Sequence, residues 1–117
     1  MFKYQSEILR VIDGDTVVAR IVFGFNTSVK QTLRLHGINA PEVRGGTADD
    51  KRRGRSATAH LKKLIEHHKP IIVETIKDRT GKYGRYLAIL NGHGANAEEV
   101  NLNFRMVCDG HAEVIDG

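Results

Sequence analysis

The chain has 117 residues, of which 40% are hydrophobic and 27% are charged, a composition typical of one folded domain and unlike that of a disordered chain. No apolar run approaches the roughly 20 residues of a membrane-spanning helix, and the polar N-terminal segment has no apolar core of a secretion signal, so we expect a cytoplasmic protein without a membrane partner. The single cysteine, Cys108, excludes an internal disulfide and a zinc site made of cysteines.

The positive charge is concentrated in one part of the chain. The net charge is +4, and residues 44–63 contain seven basic and two acidic residues. This local positive field favours a phosphate-rich partner, although a solvated loop and helix face explains it equally well. We interpret the run Lys51-Arg52-Arg53, together with Arg55, as a loop that steers nucleic acid.

The first half of the chain has the pattern of β-structure. β-branched residues at 11–12 and 17–23 flank Asp13-Gly14-Asp15, and this tripeptide is a tight-turn signal. One face of the second strand carries Val17, Ala19, Ile21 and Phe23. The two runs therefore predict a hairpin with one apolar face.

A third strand is predicted over residues 29–37, with Leu33 and Leu35 on its apolar face. The connection from Gly24 to Lys30 looks extended, and an extended connection would widen or guard a nearby site. Residues 38–50 are rich in Gly, Pro and charge, so we expect a loop there.

The second half begins with the clearest helical pattern, over residues 55–68. Its apolar stripe consists of Ala57, Leu61, Leu64, Ile65 and His68. Strands are predicted over 71–76 and 85–90, and a short helix is predicted from Asn103 as N-cap to Gly110. 

This order of elements predicts a mainly β domain with helices, an α+β fold. We expect a single domain over 1–117, built on a five-stranded Greek-key barrel of the OB type. One long helix lies between the third and fourth strands, and a second helix is short. Barrels of this type often bind oligonucleotides on one face.

Four residues have the chemistry that phosphodiester hydrolysis needs. Carboxylates such as Asp15 bind a hard cation, and a glutamate such as Glu42 orients or deprotonates water. The guanidinium groups of Arg34 and Arg85 donate two hydrogen bonds each to phosphate oxygens. Taken singly, each residue also has a structural explanation: a hairpin turn, a solvated strand residue, a loop carboxylate, or a weak surface ion pair with Asp78.

In combination, these residues give the chain a clear resemblance to the staphylococcal nuclease (thermonuclease) family. The matching segments are Val11-Ile12-Asp13-Gly14-Asp15-Thr16-Val17, Leu33-Arg34-Leu35, Ala40-Pro41-Glu42 and Gly81-Lys82-Tyr83-Gly84-Arg85. Helix 55–68 and the segment 103–110 follow in the matching order, so the resemblance covers nearly the whole chain. It implies an OB-fold barrel and calcium-dependent hydrolysis of DNA and RNA.

The resemblance also implies a metal site. Asp15 matches the calcium-binding aspartate, and Ala40 matches the residue whose backbone carbonyl is a further ligand. Asn39 stands where the family usually has a second metal-binding aspartate. An amide oxygen is still a calcium ligand, so we expect weaker calcium binding, with Mg²⁺ or Mn²⁺ as alternatives.

The remaining implied roles concern the nucleic acid. Glu42 matches the glutamate that activates or orients the attacking water. Arg34 and Arg85 match the arginines that bind the scissile phosphate, and Lys82 and Tyr83 match residues that contact a terminal phosphate. The implied products carry 3′-phosphate ends.

The alternative function is a non-catalytic nucleic-acid-binding OB module. The sequence feature that distinguishes the two functions is the presence of Asp15, Arg34, Glu42 and Arg85 together. A binding module does not need all four, so this feature favours the nuclease. The low aromatic content, 6%, suggests few exposed rings for base stacking and also favours the nuclease. We expect a monomer, with a dimer as the alternative because the prototype enzyme continues into another helix.

Two further side-chain types are given no catalytic role by the sequence. We expect Cys108 to pack within the short helix. We expect the pair His67-His68 to interact with the helix dipole and with solvent rather than to bind a metal ion.

Overall fold

The computed structural model describes residues 2–44, 46–76 and 86–115. Eight strands and two helices lie within these residues. They follow in the order β1 (Phe2–Asp13), β2 (Thr16–Gly24), β3 (Thr27–Leu35), β4 (Ile38–Asn39), α1 (Ala48–His67), β5 (Ile71–Ile76), β6 (Tyr86–His93), β7 (Glu99–Asn101), α2 (Leu102–Cys108) and β8 (Glu113–Val114).

Five of the strands form a closed barrel. Their order is β3-β2-β1-β5-β6, with antiparallel neighbours, and a parallel pairing of β3 with β6 closes the sheet. Strand β7 continues the sheet from β6, and β4 pairs separately with β8. This closed mixed barrel, with a long helix after the third strand and a second short helix, confirms the predicted OB-like α+β fold.

The core lies inside the barrel and under α1. The alternation predicted for the second and third strands is correct at Val17, Ala19, Leu33 and Leu35, none of which is more than 1% exposed. Helix α1 contributes the predicted stripe, and its members Ala57, Leu61, Leu64 and Ile65 are buried. Within the described residues, no helix is both long enough and apolar enough to cross a membrane.

Helix α1 begins at Ala48, well before the predicted start at residue 55. Thr47 is its N-cap: the Thr47 hydroxyl accepts a hydrogen bond from the backbone N–H of Asp50 at 3.1 Å, and the Asp50 carboxylate accepts one from the backbone N–H of Thr47 at 3.0 Å. The hydrogen bond from the Thr47 backbone lowers the pKa of the Asp50 carboxyl. The end of the predicted 38–50 loop is therefore helical.

The same correction applies to the basic run 51–53, which lies in the helix and not in a loop. Arg52 and Arg53 are paired there with Asp49 and Asp50 one turn away. These pairs are exposed, so each contributes little to stability. They nevertheless neutralise part of the positive charge on which the prediction of a steering loop was based.

The N-cap of α2 is Asn101, so the prediction of Asn103 was wrong. Asn103 is instead a buried residue, 3% exposed, that joins the helix to the barrel. Its carboxamide donates to the backbone oxygens of His36 and Ala88, both at 3.0 Å, and accepts from the N–H of Leu90 at 3.1 Å. Asparagine suits both positions, and only the tertiary structure distinguishes them.

The connection between β2 and β3 is a two-residue turn, not the extended segment expected from Gly24 to Lys30. Phe25 and Asn26 adopt positive φ angles of 51° and 62°, which are typical of a tight hairpin turn, and Gly24 pairs directly with Thr27. Most of residues 24–30 therefore belong to strands β2 and β3, and the ends of these strands extend beyond the core.

Several aromatic rings and Cys108 are exposed, contrary to expectation. Five Phe and Tyr residues are at least 49% exposed: Phe2, Phe23, Phe25, Tyr86 and Phe104. Phe23 is exposed because β2 runs past the core, whereas Ile21 on the same face is buried. Cys108 lies at the exposed end of α2 and does not pack in the core.

Candidate active site

Asp15 is a buried carboxylate at the turn between β1 and β2. The turn is short because Asp13 pairs with Thr16, and Asp15 is only 5% exposed. Its Oδ1 accepts a hydrogen bond from the Thr16 hydroxyl at 2.9 Å, and its Oδ2 accepts one from the backbone N–H of Ala40 at 2.8 Å. Asp15 therefore links the hairpin to the segment that follows β4.

Arg34 lies beside Asp15, because β3 pairs with β2 in the register Thr16–Arg34. The guanidinium is 3.5 Å from Asp15 Oδ2 and donates to Asn39 Oδ1 at 3.3 Å and to the backbone oxygen of Leu35 at 3.0 Å. Its side chain is 17% exposed. Arg34 is therefore not a solvated strand residue, since it is held between the two side chains predicted to bind metal.

The oxygen donors of the predicted metal site fit a hard cation in type but carry little charge. They are the Asp15 carboxylate, the Asn39 carboxamide and the backbone carbonyl of Ala40, and oxygen ligands are those that calcium prefers. Asn39 pairs with Glu113 in the β4–β8 ladder, which fixes the backbone of this segment. Within the described residues, no group of three or more Asp, Glu, His or Cys side chains is placed to hold a metal ion. Asp15 is the one carboxylate of the predicted ligand set and supplies its negative charge.

Glu42 is exposed and lines a cleft of about 530 Å³. The cleft extends from Asn39 to α1, where Arg53 and Ser56 line it, and to Glu113 near the end of the described chain. A carboxylate in this position is accessible both to solvent and to a ligand in the cleft, as a base that acts on water needs to be.

The backbone of Glu42 rests directly on helix α1 at Gly54. A Cβ atom added to Gly54 would lie 2.3 Å from the Glu42 carbonyl oxygen and 2.9 Å from the Val43 nitrogen. Only glycine therefore permits this close approach. Val43 is further held by a 3.4 Å hydrogen bond from its N–H to the Asp13 carboxylate.

Gly14 allows a second close approach, between the β1–β2 turn and the rest of the site. A Cβ atom there would lie 2.8 Å from the Cβ atoms of both Ala40 and Ala57. The sequence predicted a turn glycine, but no positive φ is found at this position. Its role is to let the turn pack against Ala40 and α1, and neither this contact nor that of Gly54 was apparent from the sequence.

A cluster of ionisable groups joins α1 to the end of α2 beside the cleft. His60 Nε2 is 2.7 Å from Asp109 Oδ2, and the ring of His60 stacks on that of His111 with centroids 4.4 Å apart. The hydrogen bond with His60 lowers the pKa of the Asp109 carboxyl. Burial, and secondarily the charge of His60, lowers the pKa of His111.

The comparison with known families agrees with this geometry. The family model described as staphylococcal nuclease homologue matches residues 32–116, which is most of the chain. The chain belongs to the staphylococcal nuclease homologue family. It is also similar to an uncharacterized protein of Bacillus anthracis, with 27% identity over 96 residues. That alignment covers 82% of this chain but only 42% of the relative, so the chain spans less than half of that protein's length.

Membership of the staphylococcal nuclease homologue family supports a nuclease, and the described residues supply part of the predicted site. Asp15, Arg34, Asn39 and Ala40 are brought together by direct contacts. Glu42 lies close in the chain and lines the adjoining cleft. The predicted phosphate ligands Arg85, Lys82 and Tyr83, and the pair partner Asp78, lie outside the described residues.

Proposed function

We propose that this protein is a metal-dependent nuclease, using calcium, that hydrolyses phosphodiester bonds of DNA, RNA or both. The observation that carries the proposal is the position of Arg34. Its guanidinium is held between Asp15 and Asn39, at 3.5 and 3.3 Å from their oxygens. A phosphate-binding group thus adjoins the predicted cation ligands, as phosphoryl chemistry requires.

The chain's own residues have separate tasks in this reaction. Arg34 exchanges its contact with Asn39 for two phosphate oxygens, and Arg85 is proposed as the second phosphate-binding arginine. Asp15, the Asn39 amide oxygen and the Ala40 carbonyl would hold the cation, which supplies positive charge to the phosphate and polarises water when it is bound. Mg²⁺ and Mn²⁺ remain alternatives because Asn39 lowers the charge of the ligand set.

Glu42 is proposed as the group that orients and deprotonates the attacking water. The water oxygen forms a bond to phosphorus, the proton passes to Glu42, and the bond from phosphorus to the 5′ oxygen breaks. The leaving oxygen takes up a proton from solvent to give a 5′-hydroxyl, and the other product ends in a 3′-phosphate. Lys82 and Tyr83 are proposed to contact a terminal phosphate of the bound nucleotide.

The test is cleavage of single-stranded DNA, plasmid DNA and RNA with calcium, magnesium, manganese or a chelator. Glu42→Gln is expected to lose at least a hundredfold in kcat, because it removes a proton acceptor and keeps the side-chain shape. Glu113→Gln is the matched control, since Glu113 is also an exposed carboxylate that lines the same cleft. Near-parental turnover in Glu42→Gln would overturn the assigned role.

A non-catalytic OB module is the second candidate, and two observations favour it. Both oxygens of Asp15 already have hydrogen-bond donors in the protein, so the buried carboxylate has a structural role without any cation. Exposed aromatic rings such as Phe25 and Phe2 also offer stacking surfaces for bases. Binding of oligonucleotides without cleavage in any of the metals would select this candidate.

A further inference from the structure

A second surface lined by basic residues lies between β1 and α1, beside the Glu42–Val43 segment. Two adjoining cavities of about 650 and 300 Å³ form one continuous groove there, because both are lined by Leu9, Arg10, Val11 and Lys62. One end is lined by Val43, the residue that follows Glu42. The groove therefore begins one residue from Glu42 in the chain and runs along the helix.

The strand pairing of β1 explains why the groove exists. Strand β5 pairs with β1 only from Phe2 to Ser6. Beyond Ser6, the same edge of β1 has no strand partner among the residues that the structure describes, and β1 contacts α1. The pairing with β2 is irregular around Leu9. This irregularity allows Ile8 and Val11, three residues apart, both to pack against the core, while Arg10 between them is exposed.

The groove is lined by four basic residues and one acidic residue, Arg10, Arg55, Lys62, Lys69 and Glu66. Among the described residues, Arg10, Arg55 and Lys62 have no carboxylate within 4.0 Å, whereas Lys69 at the far end is paired with Glu66 at 3.0 Å. Arg55 and Lys62 are seven residues apart on α1, which places them on one face about 10 Å apart. One strand of a B-form duplex carries a phosphate per roughly 3.4 Å of helix axis, so this distance spans several phosphates of a duplex and fewer of an extended single strand.

We propose that this groove, defined by Arg10, Arg55 and Lys62, binds the phosphate backbone of the polynucleotide that flanks the candidate site. Three cations along an open groove match the charge of a polyanion, and the exposed side chain of Leu9 would lie against the sugars. The proposal rests on the nucleic-acid ligand of the proposed function, but not on cleavage. It predicts that long polynucleotides bind more tightly than dinucleotides.

The test is fluorescence anisotropy of labelled oligo(dT) of 2 and 16 nucleotides, in chelator and in the Glu42→Gln background so that no cleavage occurs. The groove variant replaces Arg10, Arg55 and Lys62 by Gln. The control variant replaces Lys3, Lys30 and Lys63 by Gln, which removes the same charge from exposed positions that do not line the groove. Thermal unfolding verifies that both variants are folded.

For the 16-mer, we expect the groove variant to lower the slope of log K against log salt by about 2, since each lost phosphate contact on a single strand removes about 0.7. At 0.1 M salt this corresponds to a loss of roughly a hundredfold in affinity. The dinucleotide is expected to change less than threefold, and so is binding of the 16-mer to the control variant.

Equal losses in the groove and control variants would overturn the proposal, because net charge alone would then explain the binding. An equal loss for the dinucleotide would also overturn it. A groove-dependent interaction of the same size with a 16-residue polyglutamate would refute the nucleic-acid assignment. If no substrate is cleaved but the groove variant loses affinity for the 16-mer, the proposed function fails while the groove assignment holds.

Discussion

Gly54→Ala is the sharpest test of how the helix positions the candidate base. The new methyl group would lie 2.3 Å from the Glu42 carbonyl oxygen and 2.5 Å from its carbonyl carbon. Ordinary contact begins at about 3.4 Å, so the Glu42 backbone has to move by about 1 Å. Because the obstructing atoms belong to the backbone, no side-chain rotation relieves the contact.

Two opposing effects decide the stability of this variant. Overpacking of this kind costs about 1–3 kcal/mol, while Ala in place of Gly inside a helix stabilises by about 1 kcal/mol. We expect a net loss of about 0–2 kcal/mol in the free energy of unfolding, measured by urea denaturation. The protein therefore stays folded, and activity can be compared.

A displacement of about 1 Å at a catalytic group typically reduces the rate by about a hundredfold. We expect that reduction in kcat for Gly54→Ala. In a double-mutant cycle with Glu42→Gln, the second substitution should add little, because both act through the same side chain. Two results would refute the reasoning: parental kcat in Gly54→Ala, or fully multiplicative losses in the double variant. Unchanged amide shifts of Glu42 and Val43 in NMR spectra would refute the displacement itself, whether or not the protein cleaves nucleic acid.

Three further predictions concern the rest of the structure. Asn103→Leu is expected to cost about 3 kcal/mol in the free energy of unfolding measured with urea, because it leaves buried backbone groups without hydrogen-bond partners. Asn101→Ala removes only a helix cap and should cost about 1 kcal/mol. The reverse order of the two losses would contradict the assignment of the cap. Asn39→Asp should shift the calcium titration of activity to lower concentration, since it adds a carboxylate to the oxygen ligands, and an unchanged midpoint would reject Asn39 as a ligand. The folded state lowers the pKa of His111 below 6.5. The stability that the neutral ring contributes should therefore be complete above about pH 6.5 and decrease as the pH falls through the lowered pKa. His111→Gln should weaken this decrease in pH-dependent thermal unfolding, and a pH profile identical to that of the parent would contradict the prediction.

The sequence predicted the fold because its apolar periodicity changes clearly along the chain. The alternation around Leu33 and the helical stripe through Leu61 each place a buried face correctly. The sequence also named Asp15 and Arg34 as candidate site residues, and the structure brings their side chains within 3.5 Å of each other. Their partnership depends on the β2–β3 register, and the sequence alone does not fix that register.

The errors have a common physical origin. Asn101 and Asn103 have the same N-cap propensity because both are asparagines. Asn101 caps α2 because Asn103 is already hydrogen-bonded to the backbone of the barrel. The start of α1 was missed because the capping box of Thr47 and Asp50 lies in a segment whose composition is typical of a loop. Gly54 carried no local signal at all, because its role arises from a chain segment that meets the helix only in the folded protein.

The parallel pairing that closes the barrel has a consequence for folding. This pairing joins β3, at residues 33–35, to β6, at residues 86–88. The paired residues are more than fifty positions apart in the chain, and contacts between such distant residues are slow to form. Arg34 lies in the middle of this pairing, so its strand is held on one side by the local hairpin with β2 and on the other by the distant strand β6. A ligand that binds Arg34 together with Asp15 in the folded protein but not in the unfolded chain stabilises the whole domain against unfolding, the distant pairing of β3 with β6 included.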